Sequence, residues 1–347
     1  MKKQLLAVSI FLLCMLHTAA AVRVTRLYQA AMPVVSQSSA ERNHWLPAGL
    51  AQVLVKVSGN NEVPNNPKIK AELNSAGTFI QEFSYSAAPF KDNAKAYILQ
   101  LNFDPEGVNQ LLRSAGIPIW AQNRPLLLVW LDNEAQGQSP DIITSDSVNP
   151  VSFLFKQNMD RRGVPVIFPE MDMTDLNVMT VNDIATMAIP TLANAAKRYG
   201  SDGMLVGHIV QDAQGYKAEW KLVIGDNQWS WNTKETSMND TLTAIADHLA
   251  DTLGSRYAVL MTDTAQTRVS LKITDVSEAD DFLHLMNYLK HLTAVTDVQL
   301  VRVSGSDVIL DISLRGTADA FMQGISPEKK LTPVSNDGTL LTYQWNH

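Results

Sequence analysis

Arg124-Pro125-Leu126-Leu127-Leu128-Val129-Trp130-Leu131 decides how the chain is read. An unbroken apolar run this short, opened by a proline and closed by Asp132, has the length of a β-strand and none of the alternation of a half-exposed one. It predicts a strand buried on both faces, which needs helices above and below it. The flanking sequence supplies them. Val151–Arg162 reads as a helix and Val164–Phe168 as a second buried strand. Asn182–Tyr199 reads as an amphipathic helix interrupted by Pro190, with Ile184, Met187, Ala188, Leu192, Ala195 and Ala196 on one face. A meander of Met204–Val210, Tyr216–Ile224 and Gln228–Asn232 follows, with turns at Ala213-Gln214-Gly215 and Gly225-Asp226-Asn227. Leu242, Ile245, Leu249 and Leu253 then form one helical stripe. Residues 121–261 are therefore expected to be a three-layer α/β domain. Asp132–Asn149 is read as a loop.

Upstream, residues 22–120 read as an α+β domain. Val22–Val35 is an expected strand. Ser38-Ser39-Ala40-Glu41 has the form of a capping box, and the helix it opens carries Trp45, Leu46, Leu50, Val53, Leu54 and Val57 up to Ser58-Gly59, with a kink at Pro47 or a restart one turn later expected. A shorter helix over Lys68–Asn74 precedes strands at Thr78–Ser86 and Ala94–Phe103. Asp104 and Pro105 then take the N-cap and first-turn places of another helix. Downstream, Thr262–Thr267 is polar and reads as a linker. Residues 267–347 then give strand Val269–Ile273, helix Glu278–His291, strands Val295–Val303 and Val308–Leu314, helix Thr317–Ser326 and strand Leu340–Trp345. That βαββαβ order is ferredoxin-like. The expected fold is thus α+β and α/β, in three compact modules.

The N-terminus carries a different message. Lys2 and Lys3 precede the apolar run Leu5–Leu16, and Ala19 and Ala21 sit at the −3 and −1 positions of a cleavage site. This is the pattern of a secretory signal peptide over residues 1–21, and it implies a periplasmic protein. Cleavage after Ala21 removes Cys14, the single cysteine, and takes the net charge from −7 to −9. A cysteine-free mature chain excludes disulfides, thiol catalysis and thiolate metal sites. The acidic balance, with 46% hydrophobic and 18% charged residues, fits a globular protein and argues against nucleic acid as a partner. No second apolar stretch reaches membrane-spanning length.

Several segments resemble an uncharacterised family of secreted proteobacterial proteins, known only as a domain of unknown function. They are Leu27-Tyr28, Pro33-Val34, Ser36-Gln37, Glu41-Arg42, Val53-Leu54-Val55-Lys56-Val57-Ser58-Gly59 and the Arg124–Leu131 run. The resemblance spans roughly residues 22–260, and Pro47 departs from it. It implies no activity and no catalytic residue. Ala195–Gly207 is similar, at the level of fold, to α/β domains of envelope assembly factors: the curli secretion lipoprotein, penicillin-binding-protein activators and the TolB amino-terminal domain. That likeness implies partners among other envelope proteins.

Nucleotide-binding loops, zinc-helix motifs and nucleophile elbows are missing from the sequence. Ser326-Pro327-Glu328-Lys329 has the S-x-x-K form without its companion motifs. Of the histidines, His284 and His291 lie two turns apart on one helix, and His208 falls in an apolar strand, where a satisfied structural role is expected. Two constellations remain. Glu170, Asp172 and Asp175 follow a strand near the carboxyl edge of the α/β sheet, where they either cap the following turns or bind a divalent cation and act as acid and base. Trp220, Trp229 and Trp231 lie on adjacent meander strands, as a core beneath the following helix or as a platform for sugar or peptide. The leading expectation is a soluble, non-catalytic periplasmic accessory protein without cofactor that binds another envelope protein. The alternatives are a small-ligand binder using the tryptophans and a metal-assisted hydrolase using the acidic cluster.

Overall fold

A computed structural model describes residues 22–346 apart from 93–94, 136–138, 261–265, 293, 316–317, 326–329 and 337–339. The signal segment with Cys14, the core of the linker and the Ser326–Lys329 motif therefore lie outside the described residues.

The first unit opens with β1 (Val22–Arg23), a turn and β2 (Gln29–Val34), so the single strand expected over Val22–Val35 is two. Next come α1 (Ser39–Ser58), α2 (Pro67–Glu72), β3 (Ile80–Asp92), β4 (Lys95–Phe103) and α3 (Pro105–Ser114). The strands form an antiparallel sheet in the order β2-β4-β3. Leu50, Val53, Leu54 and Val57 of α1 are buried with Leu99, Leu101 and Phe103. At Gly49 the helix comes so close to the sheet that a Cβ would lie 2.5 Å from Leu101 Cδ1.

Two local expectations are corrected. Pro47 does not restart α1, which runs as one continuous helix through it. Proline removes one helical N–H, and Asn43, whose carbonyl would receive it, is exposed to water. The capping box is only half formed. Ser38 Oγ accepts from Glu41 N, but the Glu41 carboxylate takes the Trp45 indole N–H and Val35 N instead of Ser38 N.

The second unit begins with β5 (Asn123–Arg124), which pairs with β1, and β6 (Leu127–Glu134). It continues through β7 (Asp141–Ile143), α4 (Pro150–Arg162), β8 (Val166–Ile167), α5 (Met173–Leu176), α6 (Val181–Ala185), α7 (Ile189–Ala196), β9 (Gly203–Asp212), β10 (Gly215–Ile224), β11 (Asn227–Glu235) and α8 (Met238–Tyr257). β6 lies between β9, parallel on one edge, and β8 and β7 on the other. Its side chains alternate between two cores. Leu127, Val129 and Leu131 pack with α4 and α8, whereas Leu128 and Trp130 pack with α6 and α7. That is the double-sided burial the uninterrupted run demands. The helix expected over Asn182–Tyr199 is broken at Met187, whose φ is +51°, and Pro190 opens α7 rather than interrupting it. Part of the expected loop 132–149 is β7.

The third unit contains β12 (Gln266–Thr274), α9 (Ala279–His291), β13 (Val295–Ser304), β14 (Asp307–Arg315), α10 (Ala318–Ile325), β15 (Leu331–Asn336) and β16 (Leu340–Trp345). Its sheet runs β13-β14-β12-β16-β15. The βαββαβ order thus gains a strand, β15, that sequence reading missed. The added β15–β16 hairpin reverses the closing strand, so β16 runs parallel to β12. The chain is a mixed α and β protein of compact modules.

One buried cation joins the first two units. Arg124 donates to Lys56 O (2.8 Å), Trp120 O (3.0 Å), Ala121 O (3.1 Å), Arg162 O (3.2 Å) and Gly163 O (2.9 Å), and its guanidinium lies 3.8 Å from the Trp120 ring centroid. Lys56 O belongs to the last turn of α1, and Arg162 O and Gly163 O to the end of α4. Helix C-termini leave carbonyls without partners and favour cations. A single guanidinium therefore caps two helices from different units. Next to it, buried Arg162 bridges Asp247 and Asp251 of α8, each at 2.7 Å.

Candidate functional site

The acidic trio is gathered around a cation of the chain itself. Asp172 caps α5, accepting from Thr174 N (2.9 Å) and Asp175 N (3.2 Å), and receives Arg198 Nη1 (2.5 Å) and Nη2 (2.8 Å). Asp175, with a fully buried side chain, accepts from Met171 N (3.0 Å), Arg198 Nη1 (3.1 Å) and the Tyr199 hydroxyl. Glu170 lies 3.7 Å from Arg198 and donates its backbone N–H to Tyr199 Oη. The Arg198 hydrogen bond holds the Asp172 carboxyl well below the usual carboxylate range. Burial, then the bond to Asp175, pushes Tyr199 up to about 12. The carboxylates hold a guanidinium. Among the described residues, no group of three or more His, Cys, Asp or Glu is placed to take a metal ion.

Trp220, Trp229 and Trp231 share the sheet face that α8 covers. Trp220 is buried, and its indole N–H donates to Thr233 Oγ1 at 3.1 Å. Trp231 stacks on His248 of α8 at 6.4 Å and 14°, and the Arg256 guanidinium sits 5.9 Å from the Trp229 ring centroid. The three rings are packed into the core between meander and helix, with Trp229 and Trp231 at its partly exposed margin.

Sequence reading missed a pair on the opposite face. Asp132 of β6 and His208 of β9 are register partners, with His208 Nδ1 2.9 Å from Asp132 Oδ1. Asp132 is fully buried and its Oδ2 has no partner among the described residues. Burial pushes its carboxyl up, and the His208 bond works against that. His208 borders a groove of about 480 Å³ with Lys217, Glu219, Asn232 and Lys234. Thr233, whose hydroxyl accepts from the Trp220 indole, also lines the groove, and no serine or cysteine does. The two residues are 76 apart in sequence, and only strand register joins them.

At the edge of the third sheet, β13 pairs with β14 on one side and with no described strand on the other. Val298 is buried, but Leu300, Val301 and Val303 are 49%, 57% and 56% exposed. The register shifts between Leu300 and Arg302, which leaves Val301 as the extra residue of a bulge. The opposite edge, β15, contains Pro333, which has no N–H to offer an added strand.

Residues 21–121 match the family model of a domain of unknown function (DUF8605). No curated protein and no solved structure matches the chain. The DUF8605 region contains the first sheet and α1 with its Val55–Gly59 end, and it stops just before Arg124. The α/β sheet, the Asp132–His208 pair and β13 lie beyond it.

Proposed function

We propose that the chain is a non-catalytic accessory protein of the cell envelope that binds an extended segment of another envelope protein along β13. The observation that carries this reading is the open β13 edge with three exposed aliphatic side chains. Ladder N–H and C=O groups on such an edge recruit a further strand, and exposed apolar residues add affinity where a charge or proline would repel it. Secretion rests on the N-terminal signal pattern. The sites with titratable groups are read as structural: the acidic trio holds Arg198, and Asp132 and His208 pair with each other across two strands. The test is a photo-crosslinking amino acid placed at Val301 in growing cells, with Ser230 on the β11 edge as control. A defined adduct from Val301, lost on Leu300→Lys and absent from Ser230, is expected. Equal adducts from both edges, or none from Val301, would refute docking on β13.

A further inference from the structure

A cleft of about 490 Å³ lies between β2 and β4 of the first sheet and helices α4 and α8 of the second unit. Its wall is polar, which sets it apart from the apolar pockets that take lipids or aromatic ligands. Gln29, Gln52, Gln100, Gln157 and Asn239 line it, and none of these carboxamides makes a side-chain hydrogen bond to another described residue. Each offers a donor and an acceptor, the pairing a hydroxyl group needs. Lys56, only 3% exposed, also lines the cleft. Its ammonium donates to Gln29 O (2.8 Å) and Arg26 O (3.3 Å), which leaves the third N–H without an acceptor among the described residues.

The charges lining the cleft define the ligand further. Arg26 is paired with Asp160 at 3.2 Å, and Arg161 with Asp247 at 2.7 Å. Lys56 has no carboxylate within ion-pair distance among the described residues. One positive charge is left over, and it has one free N–H, which suits one oxygen of a monoanion better than a phosphate dianion. We infer that this cleft binds a small carboxylate-bearing saccharide, with Lys56 as the carboxylate anchor and the carboxamides on the hydroxyl groups. The inference also gives a role to the Val55-Lys56-Val57-Ser58-Gly59 block that β13 docking leaves unused. It is independent of that docking.

Isothermal titration of the purified full chain with sodium glucuronate tests it, with glucose, acetate and tri-alanine as comparisons. Glucuronate is expected to bind at least tenfold more tightly than the other three. Lys56→Met should abolish binding. Because that change strands two backbone carbonyls and risks the fold, Gln52→Ala is the second variant, expected to weaken binding about tenfold with an unchanged melting temperature. Burial brings Lys56 down to about 8, with Asp160 opposing and Arg124, Arg26 and Arg161 assisting. Affinity should therefore fall as pH rises through about 8. The proposal is overturned by no glucuronate binding, by equal binding of glucose, by tri-alanine binding more tightly than glucuronate, or by an unaltered affinity in Gln52→Ala. A β13 variant such as Leu300→Lys should leave the titration unchanged, so loss of docking and loss of this site are separable.

Discussion

Arg124→Met tests whether a single buried cation holds the first two units together. The guanidinium is 0% exposed and makes five hydrogen bonds, all to carbonyls. Methionine fills most of the volume and donates nothing. Each carbonyl left buried without a partner costs about 1–3 kcal/mol, and the lost contact with the Trp120 ring adds up to about 2 kcal/mol. Against this, the variant no longer carries a desolvated charge, a saving of several kcal/mol. Burial, opposed by Tyr28 and helped by Arg162, brings Arg124 down to about 9, so the group is still charged at neutral pH. Three of the stranded carbonyls belong to helix C-termini, where Arg162 reaches Gly59 O but none of these three, so the loss outweighs the saving by about 3–5 kcal/mol. At about 2–4 °C per kcal/mol, the melting temperature should fall by about 10 °C. Thermal unfolding followed by tryptophan fluorescence reads this directly, because Trp120 lies under the guanidinium. Arg124→Lys keeps the charge but reaches fewer carbonyls, and should fall between the two. A loss below about 1 kcal/mol in Arg124→Met would show that the helix ends are satisfied without Arg124, and the capping argument would fail.

Lys56 gives the junction a pH dependence. Its folded pKa, about 8, lies below the unfolded value of 10.5, so between these pH values the unfolded chain binds more protons and stability rises with pH. The gain reaches about 3 kcal/mol near pH 10.5. Urea unfolding across that range should show it in the natural chain and not in Lys56→Met, and parallel profiles would contradict it. Gly207→Ala should cost about 1–3 kcal/mol through overpacking, because a Cβ there runs into the Trp220 ring and lies 3.0 Å from Leu131 Cδ1. Its thermal melt checks this, and an unchanged midpoint would mean that Trp220 moves freely.

Local order is legible wherever one rule acts alone. Asp104 and Pro105 open α3 because an N-cap carboxylate and a proline at the first turn are each satisfied within four residues of chain. Pro190 shows the limit of such reading: the same residue marks a break or a beginning, and the positive φ of Met187 makes it a beginning. β15 is invisible to pattern reading because Thr332–Ser335 is exposed, contains Pro333 and lacks the alternation of a half-buried strand.

The candidate sites divide along the same line. Glu170, Asp172 and Asp175 are visible as a cluster, but Arg198 lies on a later element, and only folding brings its guanidinium onto them. Double-sided burial of Leu127–Leu131 was set by composition alone, since five adjacent apolar side chains in a strand alternate between two faces and both must be dry. Which helices cover those faces, that His208 meets Asp132, that Lys56 is left without a carboxylate and that Arg124 caps two helices were decided by tertiary structure. Hydrophobic periodicity is a property of neighbouring residues. Pairing of charges across tens of residues depends on strand register and helix docking, which no local pattern records.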